Sequence, residues 1–177
     1  KALLTDIASG KLKGKTALGI DGLPRFYRDV IIPKLFPNSP PQPSDFTQIH
    51  QRFEDELTLV KRHVPVVVAT ATVDRSMDQV RQELYVTPDL PGRMAVGVAG
   101  LFDFVFFLEA EAVGTVPQYR LFTLPKGKMV VKVRTPRPLP PVISLPVDKP
   151  AWPVVKLEIE AALAGKPGPM ALAAKGG

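Results

Sequence analysis

The segment His63-Val-Pro-Val-Val-Val-Ala-Thr-Ala-Thr72 restricts the fold more than any other part of the chain. Its β-branched residues run without polar alternation, as in a strand covered on both faces, and such strands belong to parallel sheets flanked by helices. A parallel neighbour must reach it through a crossover. The chain supplies one upstream: a short apolar run, Ala17 to Ile20, and then a helix. Ser44 is placed to cap that helix, whose Phe46, Ile49, Phe53, Leu57 and Val60 keep three- and four-residue spacing. Asp45 and the acidic run Glu54-Asp55-Glu56 fall elsewhere on its circumference. The sequence therefore predicts a βαβ unit in which Asp21 ends one strand and Thr70 or Thr72 ends the other, at one sheet edge.

A carboxylate at that edge has a chemical use. In a parallel sheet the C-terminal strand ends face the ligand crevice, so Asp21 is placed to hold a hydrated Mg²⁺ beside phosphates. The hydroxyls of Thr70 and Thr72 can sense a phosphate or a water there. The plainer readings are an Asp21-Gly22 turn and threonines chosen for β propensity.

The 177 residues fit one domain, or one domain with a tail, and 45% hydrophobic content suffices for a core. A net charge of +6 with pI near 9.7 favours a polyanionic partner. The absence of Cys excludes disulfides and thiolate metal sites. Two His and scattered carboxylates lack metal-ligand spacing, which argues against a metal-dependent hydrolase. No apolar run has the length of a membrane span and no leader is visible, so the expectation is a cytoplasmic protein without a membrane partner. The sequence starts at Lys1 rather than Met, and a piece of a longer protein is expected.

Elsewhere, Leu3, Leu4 and Ile7 give Ala2 to Ser9 helical spacing, and Pro24 opens a short helix that ends before a Pro-rich loop from Pro33 to Pro43. Asp74 to Asp89 reads as a long polar loop, either functional or mobile. Phe102 to Val113, Gln118 to Leu124 and Met129 to Thr135 read as three strands of an antiparallel meander, separated by Gly114-Thr115 and Lys126-Gly127-Lys128. In the third, Lys132 and Arg134 share one face, suiting a solvated edge or contact with phosphates. Pro136 to Pro150 reads as an extended linker or arm, Trp152 to Leu163 as a helix with Val155, Ile159 and Ala162 on one side, and Gly165 to Gly177 as a flexible tail.

The order of these elements resembles the later two thirds of the RecA-like P-loop ATPases, and most of all the phage AAA-type ATPases of recombination and single-strand annealing. Pro88-Asp-Leu-Pro-Gly-Arg93, Phe102-Asp-Phe-Val105 and Lys132-Val-Arg-Thr-Pro136 carry the resemblance, which spans about residues 1 to 137. It implies a partial RecA-like core over 1–137, with a linker at 138–150 and a C-terminal helix and tail at 151–177. The expected fold is α/β: buried parallel strands flanked by helices, an antiparallel meander, and a C-terminal helix. By the same resemblance Asp21 is the Walker B carboxylate for Mg²⁺ and Thr70 contributes to the cofactor site. Thr72 stands where the family usually has a polar Gln or His sensor. Lys132 and Arg134 look like the pair that reaches the γ-phosphate of an adjacent subunit. Lys34, Arg75 and Arg81 take loop positions that line the DNA channel. ATP and Mg²⁺ are the implied cofactors; single-stranded DNA and further copies in a ring or filament are the implied partners.

One motif is missing. Gly10-Lys-Leu-Lys-Gly-Lys-Thr16 has the wrong Gly spacing for a P-loop and precedes a strand instead of following one. Nor does an acidic residue follow Asp21. Either a P-loop lies upstream of Lys1, which the non-Met start favours, or the fold persists without hydrolysis. The readings are then a RecA-like ATPase, a non-catalytic DNA-binding or assembly protein on the same core, and a virion-associated structural protein with a Pro-rich arm.

Overall fold

The computed structural model describes residues 14–80, 82–113, 116–125 and 128–170. The expected helix Ala2 to Ser9, the tail beyond residue 170, Gly114-Thr115, Lys126-Gly127 and Arg81 lie outside these residues. The chain forms a mixed α/β structure with several small sheets in two compact units. One unit holds the chain through Arg75 together with Thr87–Leu101; the other holds Ser76–Val86 and the residues from Phe102 onward.

In the first unit β1 (Ala17–Ile20) runs parallel to β2 (Val66–Ala69), in register from Ala17↔Val66 to Ile20↔Ala69. The predicted βαβ unit is therefore present. Its crossover begins with helix α1, an α turn (Leu23–Phe26), a π turn (Tyr27–Ile31) and a second α turn (Ile32–Leu35). Pro33 does not start a loop as expected, because the π turn absorbs it. The Ile32 N–H reaches back five residues to the Tyr27 carbonyl, and the widened turn relieves the clash a proline ring makes with the preceding turn.

After a 3₁₀ turn (Pro43–Asp45), helix α2 spans Phe46–His63. Asp45 rather than Ser44 sits at its N-cap position, and the Asp45 carboxylate accepts the Gln42 N–H at 2.7 Å. Ile49, Phe53, Leu57 and Val60 are buried as their spacing requires. Glu56 is buried with them, against expectation, only 2% exposed and held by Lys34 Nζ at 2.7 Å and by Arg52. Two cations from two helices compensate a carboxylate that would otherwise be costly to bury.

Strand β2 departs from the sequence reading in two ways. It ends at Ala69, before either threonine, and it is not covered on both faces: Val66 and Val68 are 39% and 40% exposed. Register puts Ala17, Gly19, Val66 and Val68 on one face, and buried Ile20 on the other. An all-apolar run signals that both faces tolerate burial, not that both have a neighbour.

The centre of this unit is aromatic. The Tyr27 ring meets Phe53 edge-on at 5.5 Å, and Phe26 lies 5.9 Å from Phe53. His50 lies 6.0 Å from Tyr27, and among the described residues neither its ring nitrogens nor the Tyr27 hydroxyl has a hydrogen-bond partner. Burial pushes the Tyr27 phenol up to about 12. Burial also holds His50 below its ordinary value, reinforced by the positive Arg93 and opposed by Glu54. Helix α3 (Met94–Gly97) and a 3₁₀ turn (Val98–Leu101) complete the unit, with Met94 and Val98 buried.

Strands β3 (Val73–Asp78) and β4 (Glu83–Pro88) replace the long polar loop expected there. Met77, Leu84 and neighbouring polar residues are exposed, so no hydrophobic period announces these strands. In the second unit β5 (Phe104–Val105) pairs antiparallel with β9 (Lys132–Val133), and β8 (Lys128–Met129) pairs parallel with β4. Strands β6 (Phe107–Val113) and β7 (Val116–Phe122) form the expected antiparallel pair. The third expected strand does not complete a meander: it divides into β8 and β9, and the place beside β7 goes to β10 (Val142–Leu145), from the Pro-rich stretch read as an arm.

Helix α4 (Trp152–Leu163) buries Val155, Ile159 and Ala162 on Leu121, Leu139 and Ile143. Glu158 is also buried and accepts the Met170 N–H at 2.6 Å, so the chain after α4 returns onto the helix. A Cβ on Gly168 would run into the Glu158 carboxylate, so a side chain there would have to displace it.

His50 makes stability pH-dependent. Its pKa is lowered in the folded state, so below about pH 6.5 the unfolded chain binds the extra proton and the folded chain resists it. Its contribution is complete above that pH and declines as pH falls toward the depressed folded value. Urea unfolding of wild type is expected to lose stability between pH 7 and 5.5, and His50→Phe to flatten that decline; equal slopes in the two proteins would refute the assignment.

Candidate functional site

The strand ends of β1 and β2 bring together two residues singled out from sequence. Gly22, directly after Asp21, has φ 79°, a left-handed conformation that turns the chain from β1 into α1. That turn aims the Gly22 N–H at the Thr70 hydroxyl, 2.8 Å away, and the hydroxyl donates to Asp21 Oδ1 at 2.8 Å. The backbones are tied as well: Leu23 N–H donates to the Thr70 carbonyl at 2.7 Å, and Thr70 N–H to the Ile20 carbonyl at 3.0 Å. Thr70 thus accepts one hydrogen bond and donates another, which fixes its proton toward Asp21. Asp21 stays exposed, with its carboxylate held at one oxygen.

Thr72 is not part of this contact. Its hydroxyl lies 3.5 Å from Asp89 Oδ2, and the Asp89 N–H donates to the Thr72 carbonyl at 2.8 Å. Asp89 was not singled out from sequence, where it closes the polar stretch Asp74 to Asp89. Its position two residues before Pro91-Gly92 was the available signal.

The basic candidates have local partners. Lys34 lies on α1 rather than in a loop, and its ammonium is bound to Glu56. Arg75 is exposed on β3. In the second unit Lys132 Nζ donates to the Phe102 carbonyl at 2.5 Å, whereas Arg134 extends into solvent, 3.8 Å from Asp103 with both side chains 64% exposed. Of that pair, Arg134 is the more available to a ligand.

Among the described residues no group of three or more His, Asp or Glu is arranged to share a metal ion. Mg²⁺ does not require one: it keeps several waters and is commonly held by one or two carboxylates plus phosphate. Exposed Asp21, oriented by Thr70, fits that role. A separate open cleft of about 520 Å³ lies between α2 and α3, lined by Gln51, Glu54, Arg93, Met94 and Val96 among others, and includes neither Asp21 nor Thr70. Among the described residues no helix is long and apolar enough to cross a membrane. No protein family, curated protein or solved structure matches the chain significantly.

Thr70→Val keeps the side-chain shape and removes both hydroxyl bonds, leaving the Gly22 N–H without its acceptor. The expected loss is about 1 kcal/mol of unfolding free energy, with Thr70→Ser near wild type. Denaturant titrations that place Thr70→Val level with Thr70→Ser would show that the relay contributes nothing.

Proposed function

We propose that the chain is part of a RecA-like, Mg-ATP-dependent ATPase that acts on DNA in phage-type recombination or replication. The observation that carries this reading is the Asp21–Thr70 contact at adjacent C-terminal ends of two parallel strands. In open α/β sheets that edge is where ligands bind. In this reading Asp21 holds the hydrated Mg²⁺ and Thr70 keeps its carboxylate turned outward. When bound beside Asp21, Mg²⁺ would supply charge neutralisation at the phosphates. Arg134 serves the phosphoryl group of a neighbouring copy, with Lys132 fixing its strand. Thr72, on Asp89, positions the segment that follows β2. Single-stranded DNA is met at its backbone by Arg75, exposed on β3.

A non-catalytic DNA-binding or assembly protein on the same core is the second reading, favoured by the lack of Gly-x-x-x-x-Gly-Lys-Ser/Thr within the 177 residues. Two measurements separate them. Fluorescent-ATP titration is expected to show Mg²⁺-dependent binding that Asp21→Asn weakens at least about tenfold, and Arg134→Ala is expected to reduce hydrolysis by about 10³. Single-stranded DNA binding is expected to fall steeply with salt, with Arg75→Ala lowering the log–log slope by about 0.7. DNA binding indifferent to ATP and Mg²⁺ would select the second reading; neither nucleotide nor DNA binding would overturn both.

A further inference from the structure

The second unit carries an open sheet edge with a specific chemical pattern. Sheet order β10-β7-β6 leaves β6 terminal, so among the described residues its outer side has no strand neighbour. The ladder ends at Val113↔Val116 with two residues between, which makes that pair a hydrogen-bonded one. Alternation then makes Glu111↔Gln118, Glu109↔Arg120 and Phe107↔Phe122 hydrogen-bonded, while Leu108, Ala110 and Ala112 turn their N–H and C=O groups outward. Pro117 agrees with this parity: it faces Ala112 in a pair that needs no N–H.

The side chains along this edge separate by face. Leu108, Ala110 and Ala112 lie on the face that α4 covers only farther along, at Leu121 and Ile143; Leu108 is 55% exposed. Glu109 and Glu111 lie on the other face, both bound by Arg120 of β7. Two carboxylates against one guanidinium leave that face of the edge net negative. The edge also lacks the lysine, proline or bulge with which proteins usually block such strands.

We propose that β6 receives an added strand from a partner protein: an extended segment whose cationic side chains alternate with small apolar ones. Main-chain bonds to Leu108, Ala110 and Ala112 supply affinity, and alternate side chains supply specificity. The cations of the segment meet Glu109 and Glu111, and its apolar residues continue the Leu108–Ala110–Ala112 face. A second copy of β6 is a poor occupant. Antiparallel pairing centred on Ala110 sets Glu109 of each copy opposite Glu111 of the other, four carboxylates with two arginines. This inference is independent of the nucleotide reading.

The test is titration of the ¹⁵N-labelled chain with an eight-residue Lys/Val-alternating peptide, and with Glu/Val-alternating and scrambled Lys/Val controls. Only the alternating Lys/Val peptide is expected to bind and to shift the amides of Leu108, Ala110 and Ala112. Ala110→Pro removes an outward donor while leaving the β7 ladder intact, and should weaken binding at least about tenfold, the scale of one lost hydrogen bond. Should that variant misfold, Glu111→Lys reads out the same edge: it should weaken the Lys/Val peptide several-fold and admit the Glu/Val one. Equal binding of alternating and scrambled peptides, shifts elsewhere on the chain, or wild-type affinity in the folded variants would overturn the proposal. So would self-association in sedimentation that Glu111→Lys or Ala110→Pro abolishes.

Discussion

Parallel pairing of β1 with β2 is the constraint on which the first unit depends. Two parallel strands cannot be joined by a tight turn, so the residues from Gly22 to Pro65 must form a crossover that packs back on the pair. The aromatic cluster of Phe26, Tyr27 and Phe53 holds the two helices of that crossover together. The Thr70 hydroxyl then closes the arrangement at its open end, linking the turn after β1 to the residue after β2. The same bonds that finish the fold orient the exposed Asp21 carboxylate.

Local charge pairing tempers what the +6 net charge suggests. Lys34 and Arg52 are committed to Glu56, Arg120 to Glu109 and Glu111, and Arg25 and Arg28 to Asp29. The pairs at Glu56 and Arg120 are partly or fully buried and serve the fold before any ligand, whereas those at Asp29 are exposed and weak. The net charge therefore overstates how many cations are free of a carboxylate partner, while single side chains such as Arg75 and Arg134 remain exposed.

Those elements with a strong hydrophobic period were legible in the sequence. The crossover helix, the β6–β7 pair and the apolar stripe of α4 all follow from it; that Asp21 would share a sheet edge with Thr70 or Thr72 followed from the parallel pairing, but not which threonine would meet it. What escaped has a common cause: the stabilising partner is distant along the chain or the strand is mostly exposed. Strands β3 and β4 bury too few side chains to alternate visibly, and β10 sits among prolines that suggest an unpaired arm. Glu56 reads as one of three surface acids because Lys34 lies 22 positions away. Asp89 reads as the end of a polar loop because its threonine lies 17 positions before it.

The π turn of α1 has a consequence for how this chain tolerates change in length. A π turn is geometrically an α turn with one residue inserted. Deleting a residue between Tyr27 and Ile31 would restore regular winding and rotate everything after it by about 100°. Lys34 would swing off Glu56, and Pro33 would press against the turn before it. Residues 36–42, without helix or strand, carry no such phase. Natural variation in the length of the crossover therefore belongs in that loop, while the spacing from Asp21 to Lys34 is fixed to the residue.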